Sequence, residues 1–138
     1  MARRSSSPTL LTNLELEVMQ VVWRSPEPAN VREVMDIVNQ DRSRPLAYNT
    51  LQTMLTILRD KGVVVAEPGP GRAHVFRARL SRKEVTTHMV GDLVQRLFEG
   101  ESKPLLLHLM DQENLSRDEL RELRDAVERQ LDDGEAPA

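Results

Sequence analysis

The sequence contains no cysteine, and among its 138 residues there are only one Trp, one Tyr and two Phe. Without cysteine, neither disulfides nor thiolate metal sites can form, and a reducing cytoplasmic compartment is expected. With so few aromatic residues the core has to be mainly aliphatic, which favours helices over a large sheet. No apolar run is long enough to span a bilayer, and the start of the chain lacks the apolar segment of a signal peptide. We expect residues 1–10 to form a disordered basic arm.

The net charge of −3 conceals an uneven distribution. Residues 1–83 contain 13 Lys and Arg against 8 Asp and Glu, a net charge of +5, whereas residues 84–138 contain 6 against 14, a net charge of −8. A basic half can approach phosphates, and an acidic half is repelled by them. Chance unevenness is the alternative. The distribution predicts two modules with different tasks.

Helix starts are easy to recognise in this sequence. The segments Thr12–Glu15, Ser81–Glu84 and Ser116–Glu119 fit the capping box, in which a hydroxyl caps the third amide and a Glu returns a bond to the cap. Asn30–Glu33 is a close variant. Each start opens an amphipathic run, so the combined signal predicts helices at all four positions.

The order of the elements predicts the fold class. Apolar spacing and helix-stop signals predict helices, and β-branched or alternating runs around a Pro-Gly turn predict a hairpin. The predicted helices span residues 13–24, 31–40, 47–61, 83–98, a segment opened by Pro104, and 117–131; the predicted strands span 63–67 and 74–80. Three helices followed by a hairpin is the order of a winged helix. We therefore predict a mainly α protein with a small β-hairpin wing.

The predicted domains follow from this order. A winged helix-turn-helix DNA-binding domain is expected over residues 11–80, and a helical dimerisation domain over residues 81–132. Residues 133–138 are expected to form a disordered tail.

The third predicted helix has an uncharged, hydrogen-bonding face. Asn and Gln can pair with adenine in the major groove, and Thr offers a hydroxyl and a methyl group. We predict base reading by Asn49, Thr50, Gln52, Thr53 and Thr56. The alternative is an ordinary solvated helix face, but such faces usually carry Glu and Lys, which favour helix and solubility.

Basic residues occur before and after this helix in the sequence. Contacts from such residues to DNA phosphates would position the helix on the duplex. The predicted contacts with the DNA backbone are Arg42, Arg44, Tyr48, Lys61, Arg72 and Arg77. Arg79 shares a strand face with Arg77, and Arg3 and Arg4 belong to the flexible arm. Each residue alone fits an ordinary surface charge, and Tyr48 fits packing at the helix entry equally well.

The helices after residue 80 carry more apolar side chains than so small a unit can bury alone. A two-fold dimer would supply the missing core and would place two reading helices about 34 Å apart, which suits a palindromic operator. The predicted dimerisation residues are Val85, Met89, Leu93, Leu97, Leu105, Leu106, Leu109, Leu120, Leu123 and Val127. The alternative is that these helices fold back on the winged helix of the same chain.

Two other classes of protein fit the sequence less well. An enzyme is disfavoured because Gly69-Pro70-Gly71 lacks the Lys-Ser/Thr of a phosphate loop, and no nucleophile or metalloprotease motif appears. His74, His88 and His108 lack metal-site spacing, so no cofactor or metal is expected. A winged helix that contacts only proteins would need acidic or apolar groups on its third helix; a flat salt response of duplex binding would favour that alternative.

The sequence resembles the BlaI/MecI (penicillinase repressor) family over about residues 11–130. The matching segments are Leu14–Met19 with Val22-Trp23, Ala47–Leu55 with Leu58 and Lys61-Gly62, and Leu115–Leu120 with Glu122-Leu123. The resemblance implies a dimeric winged-helix repressor of β-lactamase or related genes. It also implies release by a membrane-bound sensor metalloprotease that leads to cleavage within the dimerisation region.

Two positions depart from the family pattern. His108-Leu109 stands where the family has its scissile Asn-Phe pair, so this is the predicted cleavage region, and whether induction requires cleavage stays open. Ile57 stands where several relatives carry a basic residue, which predicts the loss of one backbone contact.

Overall fold

Six helices and one hairpin make up the computed structural model, which describes residues 10–134. The elements are α1 Asn13–Arg24, α2 Val31–Asn39, α3 Tyr48–Asp60, β1 Val64–Pro68, β2 His74–Ala78, α4 Arg82–Phe98, α5 Ser102–Gln112 and α6 Arg117–Gly134. The prediction of a mainly α fold with a hairpin wing is confirmed. The chain forms two compact units that divide between Leu93 and Val94. Arg3, Arg4 and most of the predicted arm and tail lie outside the described residues.

The four predicted capping boxes are present. In α1 the Glu15 N–H donates to Thr12 Oγ1 over 3.1 Å, and the Thr12 N–H donates to Glu15 Oε1 over 2.8 Å. The same reciprocal pairs join Asn30 to Glu33, Ser81 to Glu84, and Ser116 to Glu119. Each pair satisfies two N–H groups that have no acceptor inside the helix, which is why α1, α2 and α6 begin at the predicted residues and α4 begins at Arg82, one residue earlier than predicted.

Helix ends and α5 differ from the predictions. The fifth helix begins at Ser102, and Pro104 lies within its first turn, where a missing N–H costs no intrahelical bond. The last helix continues to Gly134, so Asp133 and Gly134 belong to α6 and not to a disordered tail. Both differences arise because helix ends depend on weak local preferences.

The core of the first unit is aliphatic, as the composition predicts. The predicted apolar stripe of α3 is buried along its whole length, and it consists of Leu51, Met54, Leu55 and Leu58. They pack with residues from α1, α2 and the hairpin, among them Val18, Met19, Val34, Val63 and Val64. Burial of each such side chain contributes about 1.5–3 kcal/mol. This packing holds α3 by one side and leaves its other side free.

The wing is an antiparallel hairpin in which Val64 pairs with Ala78 and Pro68 pairs with His74. The Gly69 N–H donates to the Ala73 carbonyl oxygen over 3.0 Å and closes the loop, and Gly71 adopts a φ of 68°, which favours glycine.

An isolated bridge that the sequence did not reveal ties the wing to the start of α2. The Ala29 N–H donates to the Phe76 carbonyl oxygen over 3.0 Å, and the Phe76 N–H donates to the Ala29 carbonyl oxygen over 2.8 Å. The wing is thereby held next to the helix-turn-helix.

The beginning of α4 belongs to the first unit. Val85 is buried in the core of that unit, and Met89 packs against the same core. The indole Nε1 of Trp23 donates to the Leu80 carbonyl oxygen over 2.9 Å, and the Arg82 guanidinium lies 5.1 Å from the Trp23 ring centroid. The units therefore divide later than residue 80, and Val85 is covered by its own chain and is not part of an exposed dimerisation surface.

The second unit buries little. Among residues 94–134 only Val94 is buried, and no residue of α5 or α6 is.

Candidate nucleic-acid interface

The entrance to α3 is held by the side chain of Asn39, the last residue of α2. Its Nδ2 donates to the Leu46 carbonyl oxygen over 3.1 Å, and its Oδ1 accepts from the Leu46 N–H over 2.8 Å. These two hydrogen bonds close the turn between α2 and α3 and fix where α3 begins. Sequence reasoning missed Asn39, although an Asn ahead of a polar turn often bonds the backbone in this way.

Arg42 in the same turn faces its own chain. Its Nη1 donates to both carboxylate oxygens of Glu17 in α1, over 2.7 and 3.0 Å, and its Nε donates to the Arg44 carbonyl oxygen over 3.0 Å. The sequence placed Arg42 among the phosphate contacts. The structure shows a guanidinium that already has a carboxylate partner.

The outer face of α3 presents the predicted reading residues. Asn49, Thr50, Gln52 and Thr53 are exposed, and Thr56 is half-buried. The Thr56 hydroxyl donates to the Gln52 carbonyl oxygen over 2.9 Å, so its donor is used within the helix. Amide and hydroxyl groups on the other four residues are accessible from outside the chain.

Two grooves run beside α3 and divide these residues between them. The first, of about 490 Å³, lies between α3 and the wing and includes Gln52 and Thr56 with Arg72 and His74. The second, of about 540 Å³, lies beside the start of α1 and includes Asn49, Thr50 and Thr53. Ile57 lines this second groove, which is correspondingly more apolar. The face of α3 is thus open on both sides.

The groove between α3 and the wing, called the wing groove below, is lined by three arginines. Arg72 comes from the wing tip, Arg32 from the first turn of α2, and Arg59 from the end of α3. The Arg32 guanidinium lies 5.8 Å from the ring centroid of Tyr48, which also lines the groove. Sequence reasoning missed Arg32 and Arg59, because nothing in their spacing indicates that the fold brings them towards Arg72.

Two further predicted phosphate contacts are engaged inside the chain. The Lys61 ammonium donates to Glu15 Oε1 over 2.7 Å and to the Leu10 carbonyl oxygen over 3.1 Å, so it closes α3 against the start of α1. Arg77 donates to Glu67 on the paired strand over 2.8 Å. The neighbouring Arg79 donates to the Gly62 carbonyl oxygen over 3.0 Å. Arg77 and Arg79 remain exposed although they are bonded within the chain, and no bond to another of residues 10–134 is seen for the exposed side chain of Arg72.

Glu15 is the single buried charged residue among residues 10–134, with 4% of its surface exposed. Burial by itself raises the pKa of Glu15. The hydrogen bond from Lys61, the bonds to Thr12 and the charge of Lys61 together outweigh burial, and the pKa is lowered overall. The carboxylate is therefore ionised and paired at neutral pH.

The exposed apolar side chains are concentrated in the second unit. In α5, Leu106 is 60% exposed and Met110 51% exposed; in α6, Val127 is 58% exposed. Of the predicted dimerisation residues, those that are exposed are Leu97, Leu106, Leu109, Leu120, Leu123 and Val127, and those that are half-buried are Met89, Leu93 and Leu105. His108-Leu109, the predicted cleavage region, lies within α5 with both side chains exposed.

Residues 10–134 contain neither a membrane-spanning helix nor a cluster of metal-binding side chains. Within that stretch no helix has both the length and the hydropathy to cross a membrane. In the same stretch no group of three or more His, Cys, Asp or Glu side chains is placed to hold a metal ion.

Comparison with known proteins gives one consistent result. Residues 11–129 match the penicillinase repressor family. The transcriptional regulator BlaI of Mycobacterium tuberculosis is 32% identical over 120 residues, which cover 86% of this chain and 83% of the relative. The penicillinase repressor of Bacillus licheniformis is 26% identical over 118 residues, covering 86% and 89%. The methicillin resistance regulatory protein MecI of Staphylococcus aureus is 21% identical over 117 residues, covering 85% and 92%. The chain therefore belongs to the penicillinase repressor family, the BlaI/MecI group of transcriptional regulators.

Proposed function

We propose that this protein is a homodimeric transcriptional repressor that reads a palindromic operator with α3. One observation carries the proposal: α3 is buried on one side by Leu51, Leu55 and Leu58 and presents uncharged amides and hydroxyls on the other. Uncharged polar groups on a protruding helix suit the donors and acceptors of base edges in the major groove. Asn49, Thr50, Gln52 and Thr53 are the base-reading residues of this proposal, and Thr56 has a smaller part because its donor is used.

The wing groove supports a path for one DNA strand. Arg32, Arg59 and Arg72 line it together with Tyr48, which places positive charge beside the reading helix; Arg59 also pairs with the exposed carboxylate of Asp60 over 3.5 Å. Arg44 is exposed in the turn just before α3. Contacts from such residues to phosphates would place α3 in register without reading sequence. The proposed backbone set is therefore Arg32, Arg44, Tyr48, Arg59 and Arg72.

The exposed leucines of α5 and α6 support a dimer. A surface with this many apolar side chains, none of them buried, is unfavourable in water, and a second copy of the same surface would cover it. Two-fold symmetry would then place two copies of α3 on successive turns of the duplex, about 34 Å apart.

The relatives' names support the class of genes. Because they are described as regulators of penicillinase and methicillin resistance, we propose control of β-lactamase-type or related stress genes in this organism. Release by a membrane-bound sensor metalloprotease is part of the same proposal. The cleavage region of this proposal is His108-Leu109. Both residues are helical in α5, so this part of the helix would have to unwind before a protease could cut it.

A binding experiment with selected DNA tests the proposal. The duplexes that the full chain enriches from a random library should be palindromic, and binding to them should weaken steeply as salt is raised, because each neutralised phosphate releases counterions. Sedimentation should give twice the chain mass. Enrichment of no duplex, with a flat salt response, would favour a winged helix that contacts only proteins.

A further inference from the structure

The turn between α2 and α3 is held by contacts from outside α3. Asn39 brackets Leu46 at the end of the turn, and Arg42 spans the gap between the turn and α1. The Arg42 N–H also donates to the Asn39 carbonyl oxygen over 3.3 Å. Residues 40–46 contain no helix or strand, and the side chains of Asn39 and Arg42 bond the segment that leads into α3.

The Arg42 side chain connects the turn to α1. Its Nη1 lies 2.7 and 3.0 Å from the two carboxylate oxygens of Glu17, which belongs to α1, and its Nε lies 3.0 Å from the Arg44 carbonyl oxygen in the turn. The Arg42 side chain is only 27% exposed, whereas that of Glu17 is 48% exposed. A planar guanidinium holds a carboxylate and a carbonyl in a rigid fork geometry, whereas the three donors of an ammonium rotate and fix its partners less strictly.

We propose that Arg42 is a positioning residue for DNA reading: anchored by Glu17, it holds the turn so that Arg44 and the start of α3 are presented to the duplex. This inference rests on the proposed DNA-binding function. Arg42 is not a phosphate ligand in this arrangement, because its charge is balanced by Glu17 and two of its nitrogen atoms are already used.

The two roles predict opposite effects when Glu17 is changed. If Arg42 contacted phosphate, Glu17→Gln would free a cation and remove a nearby negative charge, so DNA binding would become tighter. If Arg42 positions the turn, Glu17→Gln removes its anchor and the binding-competent turn is less populated. The apparent Kd then rises by the inverse of that population, about fivefold if a fifth of the molecules remain competent.

The experiment compares full-length wild type, Glu17→Gln, Arg42→Gln and the double variant. The probe is a palindromic duplex selected by the wild type, and the readouts are Kd and its salt dependence. Glu27→Gln is the matched control, because it removes one exposed carboxylate from the loop before α2 of the same unit. Exchange of the Leu46 amide, which donates to Asn39, reports the order of the turn without DNA, and a thermal melt verifies that each variant is folded.

The positioning role predicts that both single variants bind about fivefold more weakly, that the double variant is no worse than either, and that Leu46 exchanges faster in all three. For Arg42→Gln, the slope of the logarithm of the binding constant against the logarithm of the salt concentration should equal that of the wild type. Tighter binding by Glu17→Gln, or a slope lowered by about 0.9 in Arg42→Gln, would assign Arg42 to phosphate and overturn the proposal. Unchanged Kd in folded variants would also overturn it, with DNA binding by the wild type left standing. A wild type that enriches no duplex would instead overturn the proposed function, and the role of Arg42 in DNA reading with it.

Discussion

The Lys61 ammonium lies 2.7 Å from the Glu15 carboxylate, and this pair joins the end of α3 to the start of α1. Glu15 also accepts from the Thr12 N–H, so the same carboxylate completes the cap of α1. One buried group thus links the capping of the first helix to the placement of the reading helix. Lys61, which the sequence suggested as a phosphate contact, instead stabilises the fold.

Glu15→Gln should lower the free energy of unfolding at neutral pH by about 1.5–3 kcal/mol, because the negative charge that strengthens the hydrogen bonds from Lys61 and from the Thr12 N–H is removed. The pKa of Glu15 is lowered in the folded state, so its contribution is present above the unfolded value of about 4.5 and is lost as pH falls through the folded value. The stability difference between wild type and variant should therefore shrink on acidification below that pH. Urea unfolding at one protein concentration and several pH values measures it. A difference that stays constant down to the acid limit of folding would contradict the pairing.

Gln52→Ala should lower affinity for the selected operator more than for random DNA, by about 1–3 kcal/mol, because a lost base contact affects only the sequence that provides it. Gln52 is exposed on α3, so the fold should tolerate the change. Competition binding with both duplexes gives the two values. Equal losses on both DNAs would contradict base reading by this residue.

Arg72→Ala should weaken binding to operator and random DNA alike, because a wing arginine that contacts phosphate carries no sequence information. The salt slope should also fall by about 0.9 for one lost phosphate contact. Titration of both duplexes at several salt concentrations measures the two effects together. A loss confined to the operator would assign Arg72 to base reading.

Leu106→Glu should dissociate the proposed dimer, because it places a charge on the apolar surface that a second copy would cover. The winged helix should still fold, since its core lies in the other unit. Sedimentation across a concentration series measures the change in mass. Gln112→Glu is the control, because it adds the same charge to an exposed polar position of α5. A Leu106→Glu protein with unchanged association would remove α5 from the interface.

Local patterns in the sequence determined most of the secondary structure. A capping box requires only residues three apart, and burial of Leu51, Met54, Leu55 and Leu58 follows from their spacing on one helix, so both were predicted before any packing was known. The polar face of α3 follows from the same spacing. The resemblance to the penicillinase repressor family was also legible from short segments, and the comparison confirms it.

Tertiary structure decided which charged and polar groups are left for a partner. The pairs Glu15–Lys61, Glu17–Arg42 and Asn39–Leu46, and the bridge from Ala29 to Phe76, all join different segments of the fold. The sequence shows that a residue is Arg or Lys, but it does not show whether that residue contacts a phosphate or a carboxylate of its own chain. Only the packing of α1 against α3 and of the wing against α2 determines its neighbours, because those contacts depend on distances between elements and not on spacing within one.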